Sequence, residues 1–334
     1  MAGRELNNVK TFDLKKFFFQ WEWMLVLIFL GINIMNTGLS PYYLQPTTFL
    51  DAPMSFLDKA FLVLPMVFVI VLGEIDISIG STVALSSVLM ALAFAAGLPM
   101  PLAVALCLCV ATLCGFINGT LITRYKELPP MIITLSTMTI YRGIAYILLE
   151  DRAQGGFPSW FKYLGWGYVG PIPFIAVVFT VFCLIFGVVL HKTRFGREIY
   201  AMGNNATTCL YSGIRVDRNK LIVYTAMGFM AGITALFLTS RMGSTRPNIA
   251  TGYEMEAIAM VVLGGVSTAG GKGRMIGAIL AVFIIGFLRY GLGLINVQAQ
   301  AILIIIGMLL ILSVLVSNLK FGSRKGASTV FQKQ

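Results

Sequence analysis

The chain has 334 residues, 57% of them hydrophobic and 12% charged, with 25 Lys and Arg against 14 Asp and Glu for a formal net charge of +11. A soluble globule carries about 25% charged residues, so a soluble multidomain protein, a disordered chain and a disulfide-stapled secreted domain are excluded. The mean hydropathy of +0.85 leaves an all-α polytopic membrane protein.

A spanning helix needs ~20 mostly apolar residues. Runs at 23–40, 61–73, 79–97, 101–123, 130–149, 173–190, 221–240, 255–269, 275–294 and 297–317 predict about ten transmembrane helices. With the N-terminus cytoplasmic, ten spans return the C-terminus to the same side. Eighteen of the 25 cations then fall in cytoplasmic segments and five outside (Lys59, Arg152, Lys162, Arg241, Arg246), with Arg142 and Arg289 inside spans. That bias is the one the positive-inside rule predicts. The cations are scattered over several segments rather than gathered in one stripe, which argues against nucleic-acid binding.

The expected organisation is a cytoplasmic segment 1–22, one transmembrane domain 23–318 with a cytoplasmic loop 191–220, and a cytoplasmic tail 319–334. Lys15, Lys16, Phe17, Phe18, Phe19, Trp21 and Trp23 lead into the first span without a small-residue cleavage site, which reads as a retained helix with an interfacial aromatic anchor. No hydrophilic segment is long enough for a soluble catalytic domain. The five cysteines form no C-x-x-C pair and His191 is the only histidine, so neither a disulfide framework nor a zinc site is expected.

Val71-Leu72-Gly73 and Val262-Leu263-Gly264 each precede a glycine-containing break and a further apolar run. Interrupted helices at matching positions are a transporter pattern; common membrane glycine is the other reading. Gly271-Lys272-Gly273 fails as a phosphate loop, because Val266 stands at the first glycine position and glycine follows the lysine.

The polar residues inside this apolar chain are the candidate pathway. Asp76 and Ser78 lie in Gly73-Glu74-Ile75-Asp76-Ile77-Ser78-Ile79-Gly80-Ser81, which reads as a helix break lining a path or as a capped cytoplasmic turn. Thr134, Thr137 and Tyr141 recur at helical spacing beside Arg142, giving an inward polar stripe or an arginine that snorkels. Glu254 and Glu256 open the eighth run, and Arg289 in the ninth is at a depth where it could pair with one of these acids. In the loop, Gly196, Gly203 and Gly213 bracket pieces long enough for one or two helical turns.

Taken in order, several segments resemble the permease subunit of bacterial ABC importers of the ribose type, a group with permeases for ribose, xylose, galactose, rhamnose and autoinducer-2. The resemblance covers about residues 50–318. It is carried by residues 73–81, Asn118-Gly119, Thr134-Leu135 through Arg142-Gly143, Gly196-Arg197, Gly203-Asn204-Asn205, Ser212-Gly213-Ile214, Tyr253 through Ala259 and Gly264-Gly265 through Gly273. It implies a sugar-importing, multi-pass protein of the bacterial plasma (inner) membrane that works as a homo- or heterodimer. Two separate ABC ATPase domains would drive it, an extracytoplasmic sugar-binding protein would feed it, and the chain would need no cofactor, ATP being bound by the partners. Asn205, Ala206, Thr207, Thr208, Tyr211, Ser212, Gly213 and Ile214 match the family's ATPase-coupling element, and Asn118 joins the pathway set. Thr207-Thr208 stand where two alanines are usual, Ala206 where an acid is common, Glu74 for a frequent glycine and Glu256 for a frequent aspartate. The segment Gly156 through Phe161 looks most like rhamnose-type and autoinducer-2-type permeases. A self-contained ion-coupled transporter is the rival from another class, and it requires protonatable groups at mid-membrane.

Overall fold

The structure, a computed structural model, describes residues 21–298, 300–309 and 311. The expected segment before Trp21, the end of the last apolar run and the tail 319–334 lie outside the described residues.

Every predicted apolar run contains a helix. In chain order these are α1 (Trp21–Leu39), α2 (Pro46–Val71), α3 (Ile79–Ala95), α4 (Met100–Arg124), α5 (Pro130–Leu149), α7 (Phe174–Lys192), α10 (Val216–Met242), α11 (Tyr253–Leu263), α12 (Met275–Leu294) and α13 (Gln300–Leu309). Shorter helices α6 (Ser159–Trp166), α8 (Arg194–Asn204) and α9 (Ala206–Tyr211) lie in the loops. Among the described residues seven helices, α1, α2, α4, α5, α7, α10 and α12, are long and apolar enough to cross a membrane. Two short antiparallel pairs complete the described residues: β1 (Gln154–Gly155) with β4 (Ser244–Thr245), and β2 (Tyr168–Val169) with β3 (Ile172–Pro173).

The central element is α2, buried along nearly its whole length, as expected of a helix apolar on every side. It begins at Pro46 rather than at residue 61. Pro53, Asp58 and Lys59 interrupt the apolar run in sequence, but both charges are buried and ion-paired, so the helix continues through them. Lys59, counted among the outside cations, therefore lies inside the bundle. Phe61 packs against Phe179, Phe182 and Phe237, and Phe56 against Phe283 and Phe287, fixing α2 to α7, α10 and α12. Beside it, α4 and α10 meet at Gly115 and Gly228, where a β-carbon on either would fall inside 3 Å of the other's backbone. Small residues at such a crossing let helix backbones approach closely in the absence of a hydrophobic drive.

Two helix breaks repeat one geometry. At the end of α2, Gly73 has φ +80° and the Gly73 and Glu74 amides donate to Ile70 and Val69. At the end of α11, Gly265 has φ +83° and the Gly265 and Val266 amides donate to Val262 and Val261. Both are left-handed closures that satisfy the last carbonyls of a helix. The equivalent of Gly73 is thus Gly265, one residue beyond the register in which the two V-L-G triplets align. The breaks touch: the Gly271 amide donates to the Val71 carbonyl at 2.8 Å. Trp21 covers Gly265, and its indole donates to the Leu263 carbonyl at 3.0 Å. That bond and its partial burial make Trp21 a brace for the second break.

Candidate functional site

The segment between α2 and α3 carries the first group of polar residues. Asp76 is buried, and its Oδ1 accepts from the Ser78 amide at 2.9 Å and the Ser78 hydroxyl at 2.7 Å. Asn118 on α4 donates to Ser78 Oγ at 2.7 Å, and the Tyr141 hydroxyl on α5 donates to Asn118 Oδ1 and to the Cys114 carbonyl, both at 3.2 Å. Thr134 donates to the Ile75 carbonyl at 3.3 Å, and Thr137 to the carbonyl of Thr134. Expected singly from the sequence, Asp76, Ser78, Asn118, Thr134 and Tyr141 form one hydrogen-bonded patch across three elements. Asp76 makes no ion pair among the described residues. Glu74, by contrast, is paired with Lys220 and accepts from Tyr224 at 3.0 Å.

The second group surrounds the start of α11. Arg289 on α12 reaches Glu256 at 2.5 Å, and Lys59 on α2 reaches the other Glu256 oxygen at 2.6 Å. Next to them Arg241 pairs with Asp58 at 2.6 Å, and Lys59 stands 4.9 Å over the Tyr253 ring. Of the two acids on α11, Glu256 is therefore the partner of Arg289. Glu254 turns the other way: one oxygen accepts from the Gly252 amide at 3.2 Å, and Oε2 is buried without a hydrogen bond. It faces Gly80, where a β-carbon would collide with that carboxylate. Among the described residues Arg142 makes no ion pair; its guanidinium donates to the Pro247 and Ile249 carbonyls at 2.6 and 2.8 Å. It ties α5 to the loop that leads into α11.

The 191–220 loop is folded. Thr193 caps α8 by accepting from the Gly196 amide, and Asn205 caps α9 by accepting from the Thr208 amide at 2.9 Å. Ile199 and Met202 bury one face of α8. The Asn219 amide first, then the Arg194 guanidinium, hold the Glu198 carboxyl below the usual range. On α9 only Cys209 is buried; Asn205, Ala206, Thr207, Thr208, Ser212 and Gly213 are exposed, Ile214 is half-buried, and Tyr211 is 88% exposed.

Sequence reasoning missed Asp58, Lys59, Arg241 and Tyr253. Their signal was an acid–base pair interrupting an apolar run, which hydropathy reads as the end of a span.

Residues 53–314 match the family model described as branched-chain amino acid transport system / permease component. The ribose import permease protein RbsC of Bacillus subtilis is 37% identical over 297 residues, covering 87% of this chain and 92% of that protein. The autoinducer 2 import system permease protein LsrD of Yersinia enterocolitica is 36% identical over 301 residues, 88% of this chain and 90% of that one. RbsC of Haemophilus influenzae is 32% identical over 316 residues, 93% and 97% of the two chains. No solved structure gives a significant match. The chain belongs to this family of transport permeases, in the group of ribose-type ABC sugar importer permeases. It is a multi-pass protein of the inner membrane.

Proposed function

We propose that the chain forms half of the pore of an importer that moves a monosaccharide or sugar-like solute inward. The solute is rhamnose-like, autoinducer-2-like or a pentose, consistent with relatives named for ribose and autoinducer 2. A second permease copy or paralogue completes the pore, two ATPase domains drive it, and an extracytoplasmic binding protein delivers the solute. The chain binds no cofactor of its own and no nucleic acid. Ten passes with both termini cytoplasmic fit the cation distribution, and place the 191–220 loop on the ATPase side.

The observation that carries this reading is the exposed helix α9, capped by Asn205 and presenting Tyr211, directly after a helix packed on both breaks. Asn205, Ala206, Thr207, Thr208, Tyr211, Ser212, Gly213 and Ile214 dock in the ATPase, and its closure reorients the pore by alternating access. Asp76, Ser78, Asn118, Thr134, Thr137, Tyr141, Arg142, Glu254, Glu256 and Arg289 line or shape the path. Deleting residues 207–212 abolishes copurification of the ATPase while the protein still inserts in the membrane; undiminished copurification overturns the assignment.

One observation favours the rival, an ion-coupled transporter that needs no ATPase: the buried Asp76 carboxylate has no cationic partner among the described residues. Gradient-driven uptake in vesicles that contain this chain alone would establish that reading.

A further inference from the structure

Beside α9, at the foot of α10, lies a cavity of about 490 Å³ lined by Arg194, Arg215, Arg218, Glu198, Phe195 and Ile222, among others. Its one carboxylate is engaged: Glu198 accepts from Arg194 at 2.8 Å and from Asn219 at 2.8 Å. Arg215 and Arg218 are exposed and make no ion pair among the described residues. They stand at the N-terminal end of a 27-residue helix, where the helix dipole disfavours cations and favours an anion. Asp217, between them in the chain, pairs instead with Lys126 at 2.8 Å, so the two guanidinium groups stand without an ion-pair partner among the described residues at the helix end that disfavours them.

Phe195 and Ile222 also line a second cavity, about 190 Å³, that continues along the membrane-spanning helices between α2, α7 and α10. All its lining side chains are apolar, Pro65, Phe68, Phe186 and Ala226 among them. Of its lining residues, Ile185 on α7 and Ile222 on α10 are 49% and 42% exposed, and Leu184 and Val188 next to Ile185 on α7 are also exposed. A cationic pocket beside an apolar groove, with Phe195 and Ile222 lining both, matches on a membrane protein an amphiphile with an anionic head. A soluble partner could reach the arginines but has no means to fill the groove.

We propose that this surface binds an anionic glycerophospholipid, its phosphate on Arg215 and Arg218 with Arg194 alongside, and one acyl chain in the groove under Phe195. Gly213 and Ile214, assigned above to the ATPase-docking element, also line this cavity, so its occupant lies at the edge of the surface that α9 presents.

The test uses the transporter purified with its ATPase subunits, in nanodiscs of phosphatidylcholine with or without phosphatidylglycerol, and reads retained lipid by native mass spectrometry. The native protein retains phosphatidylglycerol over phosphatidylcholine. The Arg215→Gln/Arg218→Gln double variant weakens that retention about thirtyfold, as expected for two basic groups near a membrane surface. Ala226→Phe, which fills the groove and leaves the arginines intact, weakens it as well. An unchanged melting temperature in pure phosphatidylcholine verifies that each variant is folded. Undiminished phosphatidylglycerol on the double variant overturns the proposal, and loss of the ATPase from that variant would then assign the arginines to the motor. Displacement of phosphatidylglycerol by inorganic phosphate, with Ala226→Phe without effect, also overturns it and reduces the site to an anion pocket.

Discussion

Lys59 and Glu256 show how this chain carries charge through its core. The pair is 2.6 Å apart with side-chain exposures of 7% and 9%, so neither ion is hydrated. Removing one partner of such a pair costs about 3–5 kcal/mol, because the other is stranded. Glu256→Met is therefore expected to destabilise the protein in detergent by that order, because it leaves the buried Lys59 without its acid and releases Arg289. Lys59→Met/Glu256→Met should recover part of the loss, which a double-mutant cycle of unfolding free energies measures; strict additivity would show that the two ions are not coupled.

Asp76 poses the opposite case, a buried carboxylate satisfied by hydroxyl and amide groups. Asp76→Asn keeps the Oδ1 acceptor for Ser78 while removing the charge, and uptake should survive it. Asp76→Ala removes the acceptor and is expected to cost about 1–3 kcal/mol, lowering the melting temperature and uptake together. Loss of uptake in Asp76→Asn at normal protein level would mean that the proton or charge itself is used, as ion coupling requires. The members of this patch were legible in sequence as rare polar residues in apolar runs. Their joining was not, since Asn118, Ser78 and Tyr141 lie on different elements and no spacing rule links them. Arg142 shows the same gap: a stripe or a snorkel could be read, but not its grip on the Pro247 and Ile249 carbonyls.

At the scale of elements, hydropathy located two helices to the residue. The predicted bounds of α5 and α12, 130–149 and 275–294, coincide with the observed ones. It failed at α2, where buried charges resemble a boundary, and at α11, which closes at Leu263 because the Gly264-Gly265 pair ends the helix inside an apolar stretch. Glycine serves two separate purposes here, and substitution distinguishes them. At Gly73 a β-carbon has ordinary contacts, with 3.7 Å to the nearest atom, so Gly73→Ala costs only the left-handed conformation, about 1–2 kcal/mol. At Gly228 the β-carbon would strike the Ala111 carbonyl and the Gly115 backbone. Gly228→Val must separate α4 from α10 and is expected to cost about 3 kcal/mol or more. Thermal unfolding of the two variants should rank them in that order; equal shifts would refute the packing account of the α4–α10 crossing.

The whole molecule connects its exposed helix to both breaks through α8, where Gly203 meets the two of them at once. Gly203, in the last turn of α8, lies against the Val71 carbonyl that ends α2 and against the Gly271 amide in the second break. Those two groups are also hydrogen-bonded to each other. Tyr200 on α8 adds a bond to the Gly273 carbonyl at 2.7 Å, and His191 accepts from the Met275 amide at the start of α12. Helix α9 begins just beyond, after Asn205. A force applied to α9 therefore reaches the ends of two discontinuous helices at the point where they meet, and packed interfaces of this kind respond by discrete shifts rather than by gradual bending. Gly203→Val places a side chain where backbone atoms already stand, so α8 must lift away from the breaks. The α9 surface itself is untouched. The expected result is a transporter that still copurifies with its ATPase and still hydrolyses ATP, but whose uptake falls by roughly tenfold, equivalent to about 1.4 kcal/mol of lost coupling. Gly203→Ala should fall between. Full uptake in Gly203→Val, at native expression, would show that the motor's motion enters the bundle by another route.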